Sequence, residues 1–423
     1  MRFATGNVNL GGTPTPYDPA VDLNSSTLYE VSVRVKVCSS SGGLQLEDNC
    51  VTYGSNAKPE GLIQKYSRRM RYSVFGYLNE SSIYRDGGVL RARQKFVGDE
   101  KLDPRNGWVA NANREWDPDT GVLVQNPDPT DAAATATVVG TNSAGRTIEH
   151  SGVINYINKF GQMTGQNHKS YDPVSEMFYA ALRYLKNQGN VAAYSNLNNS
   201  SADVRYNWAD GFPVITDWDD PIQYSCQRNA LLGIGDVNTH RDKNLPGNRN
   251  RSEEPDVPTE VANDSSINVV TATQRVATIE GITINTTGEF TGRNNSAYIA
   301  GLAYDAHTKD LRPGDNDFAG MQTASTYWVD VREAQTLLGR RSNQYWLAAK
   351  YGGFTVPENY DPYTRTDPLP LDWWASSETL STGDRRPQNF YVASEADKMV
   401  ESLNRAFARI AADDPGSGSS LGA

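Results

Sequence analysis

Apolar positions along this chain recur with two different spacings, and the switching between them predicts strands and helices in alternation. Val31-Ser32-Val33-Arg34-Val35-Lys36-Val37 alternates strictly, as a half-buried strand does, and a Ser/Gly-rich loop leads from it to Val51-Thr52-Tyr53. The two runs predict a β-hairpin over about residues 28–53. Tyr72–Leu78 reads as a second apolar strand, and Gly88–Val97 alternates like an edge strand. Ala230-Leu231-Leu232-Gly233-Ile234-Gly235 is apolar or glycine throughout, which predicts a strand lying mid-sheet and buried on both faces. Ser325–Val331 reads as the next inner strand.

Helical spacing is clearest over 173–187, where Val174, Met177, Phe178, Ala181, Leu182 and Leu185 share a stripe and Glu176, Arg183 and Lys186 lie opposite. Asp172 before Pro173 reads as its N-cap, with proline at the first helical position. Shorter helices are predicted from Pro59 to Arg69, around Val153–Phe160 and over Ser296–Lys309. Asn343–Phe354 is apolar enough to pack without declaring its type. Ser394 is placed to cap a last helix running to Ala411, with Met399, Val400, Leu403, Phe407 and Ile410 on one stripe. Polar stretches at about 98–146, 188–225 and 237–295 read as loop insertions, the second pinned by Trp208 and Trp218. Residues 1–54 form an irregular segment and hairpin, 55–411 the main domain, and 412–423 a tail of flexible-linker composition. The order of elements predicts an α/β fold: a doubly wound, mostly parallel sheet with long loop insertions and a β-hairpin.

Composition narrows the setting. At 423 residues, with 38% apolar and 21% charged positions, the chain is unusually rich in uncharged polar residues, which suits a secreted protein with long surface loops. A net charge of −10 without a basic cluster excludes nucleic acid as a partner. No apolar run is long enough to span a bilayer, and MRFATGNVNLGG lacks the apolar core of a signal peptide. The sequence is therefore read as a piece of an exported protein whose natural start lies upstream. Cys38 and Cys50 flank the hairpin loop and are disulfide candidates suited to an oxidising compartment. Cys226 is left over, either free or paired outside this chain.

Candidate chemistry is sparse. Asp236 emerges at the carboxyl end of the apolar strand, where open α/β sheets place their ligands. His240 lies close by, while His150, His168 and His307 form no spaced metal set. The acids Asp117, Asp119, Asp128 and Asp131 lack the glycine and terminal glutamate of a calcium-binding loop. Nucleophile-elbow, P-loop, zinc-protease and Cys-x-x-Cys signatures are absent, and Gly233-x-Gly235 lacks the third glycine of a dinucleotide site. The chain is read as non-enzymatic.

KSYDPVSEMFYAALRYLKNQG, YSCQRNALLGIGDVNTHRDKNLPG, STYWVDV and QYWLAAKYGGF resemble the central part of the type IV pilus biogenesis factor and tip-adhesin family, the PilC/PilY type. GLIQKYSRRMRYSVFGYLNESSIYRDGGVLRARQKFVG and SGVINYINKFG belong to the same resemblance, which covers most of 55–411. It implies a von Willebrand factor A-like domain, in which three loops often hold Mg²⁺ or Ca²⁺. Asp236 matches the third-loop acid of that site, and Asp172 stands where the second loop carries Thr. The first-loop motif, Asp-x-Ser-x-Ser, is missing: Asp22-Leu23-Asn24-Ser25-Ser26 comes nearest, but Asn24 breaks it, and the motif is expected upstream of Met1. The resemblance further implies exposure at the pilus tip or outer membrane of a Gram-negative bacterium. Its implied partners are minor pilins and a host-cell or abiotic surface, without a membrane span. The competing readings are a secreted polymer-acting hydrolase, which needs paired carboxylates in a cleft, and a ligand-free scaffold of the pilus or envelope.

Overall fold

A computed structural model of the chain describes residues 7–8, 15–16, 37–40, 43, 45–80, 84–164, 169–251, 253–332, 336–393 and 396–412. The strand expected over Val31–Lys36, the cap expected at Ser394 and the tail Asp413–Ala423 lie outside the described residues. The chain divides between Pro59 and Glu60 into two units. In the first, Cys38 and Cys50 are joined by a disulfide, their Cα atoms 5.6 Å apart. The first strand of the hairpin expected over 28–53 lies outside the described residues, and Cys50–Tyr53 pairs antiparallel with Asn56–Pro59. Gly54, at φ +55°, supplies the left-handed residue that such a tight two-residue turn demands.

The second unit opens with the antiparallel pair β1 (Tyr72–Gly76) and β2 (Val89–Lys95). Among the described residues β2 is one of two strands in its sheet, and Val89 through Ala92 on it are nevertheless all buried. Arg91 tolerates this by donating to the carbonyls of Ala209 and Pro213 at 3.1 and 3.2 Å. The stretch 98–146, expected as loop, contains the hairpin Glu100–Asp103/Gly107–Ala110 and a helix over Pro129–Val139. Asp128-Pro129 starts that helix and the Ala/Thr tract propagates it. Next come α1 (Val153–Lys159) and α2 (Val174–Leu185). In α2 the N-cap position is held by Pro173, Asp172 does not cap, and Glu176 is wholly buried instead of facing solvent. The segment 188–225 holds two short helices, Ala192–Ser195 and Ala202–Ala209.

The main sheet begins with β3 (Asn229–Gly235). The polar excursion after it contains α3 (Val269–Glu280), whose signals are legible in retrospect. Asn268 accepts from Thr271 N at 3.0 Å, Val269, Ala272, Val276 and Ile279 form an inward stripe, and Gly281 ends the helix in the left-handed conformation. Then follow α4 (Tyr298–Thr308), β4 (Ala324–Val331), α5 (Gln344–Tyr351), β5 (Phe390–Ala393) and α6 (Ala396–Ala412). Asn343 caps α5 by accepting from the amides of Tyr345 and Trp346.

β3, β4 and β5 form a three-stranded, all-parallel sheet with β4 in the centre. Alternation along the strands sorts their side chains onto two cores. Ala324, Trp328 and Phe390 join the large cluster that includes α4 and α5 residues, while Tyr327, Val329, Tyr391 and Ala393 pack with Ala406, Phe407 and Ile410 of α6. Helices thus cover both faces, as an all-parallel sheet requires. On α6, Val400 is exposed and drops out of the expected stripe.

β3 corrects the reading of the apolar run. It is a strand, but among the described residues it lies at the margin of the sheet, not in the middle, and Ile234 is 52% exposed. Gly233 pairs with Trp328, whose indole lies over the glycine and stacks on Tyr345 at 3.9 Å. A Cβ on Gly233 would sit 2.0 Å from the indole. The glycine punctuation serves this contact. Gly233→Ala is therefore expected to destabilise the fold by about 1–3 kcal/mol, measured by urea unfolding, while Gly235→Ala, whose Cβ would stand 3.6 Å from the ring, is the tolerated control.

Candidate functional site

The carboxyl ends of the strands meet the loop before α2 and the polar segment after β3. Asp236 is half-buried there, and its Oδ1 accepts from Asn238 N at 2.8 Å, bending the chain out of the sheet. That turn brings His240 against Asp172, with Nδ1 2.7 Å from Oδ1. Tyr171 meets His240 edge-on at 5.9 Å and Tyr84 at 4.9 Å. Arg241, held at φ +54°, places its guanidinium 3.4 Å from the Tyr84 ring centre and 4.4 Å from that of Tyr171. Glu253 binds the same guanidinium at 3.0 Å and that of Arg293 at 2.7 Å. Tyr84 is 48% exposed, so the assembly presents an aromatic and charged rim to solvent. At the end of β4, Asp330 is buried and accepts from Asn343 Nδ2 at 2.8 Å.

Electrostatics follow from this packing. The hydrogen bond to Asp172 raises the His240 pKa above its usual value, with the charges of Asp172 and Asp236 adding to the effect. Asp172 is itself raised, because burial outweighs the pairing with His240. Burial also pushes Asp330 up to about 6.

Asp236, Asp172 and His240, nominated from sequence, thus share one rim, but they do not form a ready cation site. Among the described residues, ligand atoms of Asp172, Asp236, His240 and Asp330 do not gather as three within 4.8 Å of one another. One oxygen of Asp172 is taken by His240 and one of Asp236 by its own turn. The adhesion-type ion therefore does not fit these residues as they stand. Tyr84, Arg241, Glu253 and Arg293 were not singled out from sequence. Their partners lie far along the chain, and no local pattern announces a cation–π stack.

A groove of about 750 Å³ lies at the opposite, amino ends of the strands, lined by Cys226, Asn229, His307, Lys309, Tyr327 and Glu358 among others. His307 Nε2 donates to the Phe354 carbonyl at 2.6 Å, so that nitrogen is not free to act as a base toward Cys226.

A family model described as PilY1 homolog, second domain, matches residues 80–311, more than half of the chain. The chain belongs to this PilY1 homolog family. A Xylella fastidiosa (strain Temecula1) protein, a type IV pilus biogenesis factor PilY1 homolog, is 52% identical over 447 aligned residues, covering all of this chain and 36% of the relative. A second PilY1 homolog of that organism is 27% identical over 243 residues, 54% of this chain and 15% of its own length. The chain thus spans little more than a third of the first relative. No solved structure matches it. Among the described residues, no helix is long and apolar enough to cross a membrane.

His240 titration followed by NMR should give a pKa above the ordinary value of about 6.5, and Asp172→Asn should return it to that value or below. For Asp330, a folded-state pKa near 6 lies above the unfolded 3.8. Its contribution to stability is full below the unfolded pKa and is lost as pH rises through about 6. Asp330→Asn should flatten that slope in urea unfolding, by at most about 3 kcal/mol.

Proposed function

We propose that this chain is a sheet-bearing part of a type IV pilus biogenesis factor, non-enzymatic, exported and exposed at the pilus tip. There it supports pilus assembly and attachment to host cells or abiotic surfaces, in contact with minor pilins. The observation that carries the reading is membership of the PilY1 homolog family, with 52% identity along the entire chain to a curated type IV pilus biogenesis factor. The Cys38–Cys50 disulfide suits an oxidising, extracytoplasmic setting. The parallel sheet, covered by helices on both faces with Asp236 at a strand's carboxyl end, supports its reading as von Willebrand factor A-like.

Attachment is assigned to the rim of Tyr84, Tyr171, His240, Arg241 and Arg293. Tyrosine and arginine dominate the energetics of protein interfaces, and a stacked Arg241 loses little conformational freedom on binding. In a piliated bacterium carrying the full-length protein, deletion of residues 60–412 should remove surface pili. Tyr84→Ala with Arg293→Glu should leave pili in place and cut surface attachment by roughly tenfold or more. Normal piliation after the deletion would refute the assembly role. Unchanged attachment in the double variant would refute the rim.

A further inference from the structure

Away from the rim, three carboxylates from distant parts of the chain converge in the interior. Asp86 lies in the turn before β2, Glu176 in the first turn of α2, and Glu254 in the segment after β3. One oxygen of each lies within 4.8 Å of the others. Asp86 is 5% exposed and Glu176 not at all. Ligands about 2.4 Å from a single calcium ion can be at most about 4.8 Å apart, so the spacing is that of one coordination sphere.

The surroundings supply too few donors. Glu176 accepts from the amides of Gly87 and Asn244 at 2.9 and 2.8 Å, and Glu254 Oε1 from Lys243 N at 3.3 Å. Glu254 Oε2 is buried without a partner. Asn244, wholly buried, reaches into the cluster by donating from Nδ2 to Asp86 Oδ2 at 2.7 Å and to the Pro255 carbonyl at 2.8 Å. Those two acceptors fix the orientation of its amide, yet its Oδ1 also lacks a donor. Three of the neighbouring cations are engaged elsewhere. Arg85 binds Glu80 and the Ala193 carbonyl, Lys169 Nζ binds the Arg85 carbonyl, and Lys243 Nζ binds the Gly288 carbonyl. Arg251, whose Nε is buried without a hydrogen-bond partner, acts on Asp86 only through its charge, and Asp242 acts on Glu254 in the same way. Acceptors without donors, buried and close together, are what a hard cation satisfies.

We propose that Asp86, Glu176 and Glu254 bind one divalent cation, with Ca²⁺ favoured, which ties the β2 turn, α2 and the segment after β3 together. Burial raises all three carboxyls, Asp86 to about 7 and Glu254 to about 8, and the charge of Asp86 adds to the rise at Glu176 and Glu254, so ion and protons compete.

The test is calorimetric titration of the whole chain, stripped with EDTA and dialysed, with Ca²⁺ and then Mg²⁺, alongside thermal unfolding. One Ca²⁺ per chain is expected, with a dissociation constant at or below about 10⁻³ M and a raised Tm. Binding should tighten as pH rises from 6 to about 8, with proton release, as Asp86 and Glu254 ionise. Glu254→Gln, at the least buried of the three, should weaken binding at least about tenfold with its circular dichroism spectrum unchanged. Asp236→Asn should leave binding intact. Absence of heat and of any Tm shift in the wild type would overturn the proposal, leaving the carboxyls to share protons. Undiminished binding in both Glu254→Gln and Asp86→Asn would also overturn it, as would binding lost only in Asp236→Asn.

Discussion

The indole of Trp328 sets the geometry from which the rest of the second unit is built. It lies across Gly233 on one neighbouring strand, pairs in register with Phe390 on the other, and stacks on Tyr345 of α5. Its Nε1 also donates to the Gly235 carbonyl at 3.2 Å. One side chain therefore fixes the register of β3 against β4 and the seat of α5. A slip by one residue would place a side chain under the ring and turn each strand's faces over. The position at which Asp236 leaves the sheet, and hence the whole rim, follows from this contact.

Around that sheet the chain compensates for a modest apolar content with buried polar links. Glu280 at the end of α3 receives Lys350 at 2.5 Å, Tyr351 at 2.8 Å and Arg340 at 2.8 Å, joining α3 to α5. The Lys350 ammonium also lies 3.8 Å from the Trp374 ring centre. Burial lowers the pKa of this lysine, and the glutamate opposes that shift. Removing one member would strand the other in the interior, which costs more than the pair itself contributes. The cluster at Asp86, Glu176 and Glu254 differs in kind, because its members carry the same sign.

The rim and the acidic cluster share a mode of assembly. Each collects residues from around 84–86, 171–176 and 240–254, and the family match over 80–311 spans all of them. β4 and β5 lie outside that match and supply the sheet's centre and far edge. The polar segment after β3, read from sequence as an excursion, is the piece that closes both places.

Local chemistry in the sequence determined what local chemistry can: strands β1, β3 and β4, helices α1, α2 and α4, and the acid following Gly235. Period, caps and breakers act within a few residues, so they survive without knowledge of the fold. The same signals stand at α3 and at Pro129–Val139, inside stretches whose polar composition reads as loop. Tertiary structure alone decided that Gly233 lies under an indole, because the spacing along the chain does not say which residue of another strand stands opposite it. It alone decided that Glu176 faces inward, since amides and carboxylates remote in sequence make its environment. It alone decided that Asp172 serves His240 and not its own helix. Each outcome depends on contacts between distant residues, whose closeness no spacing along the chain encodes.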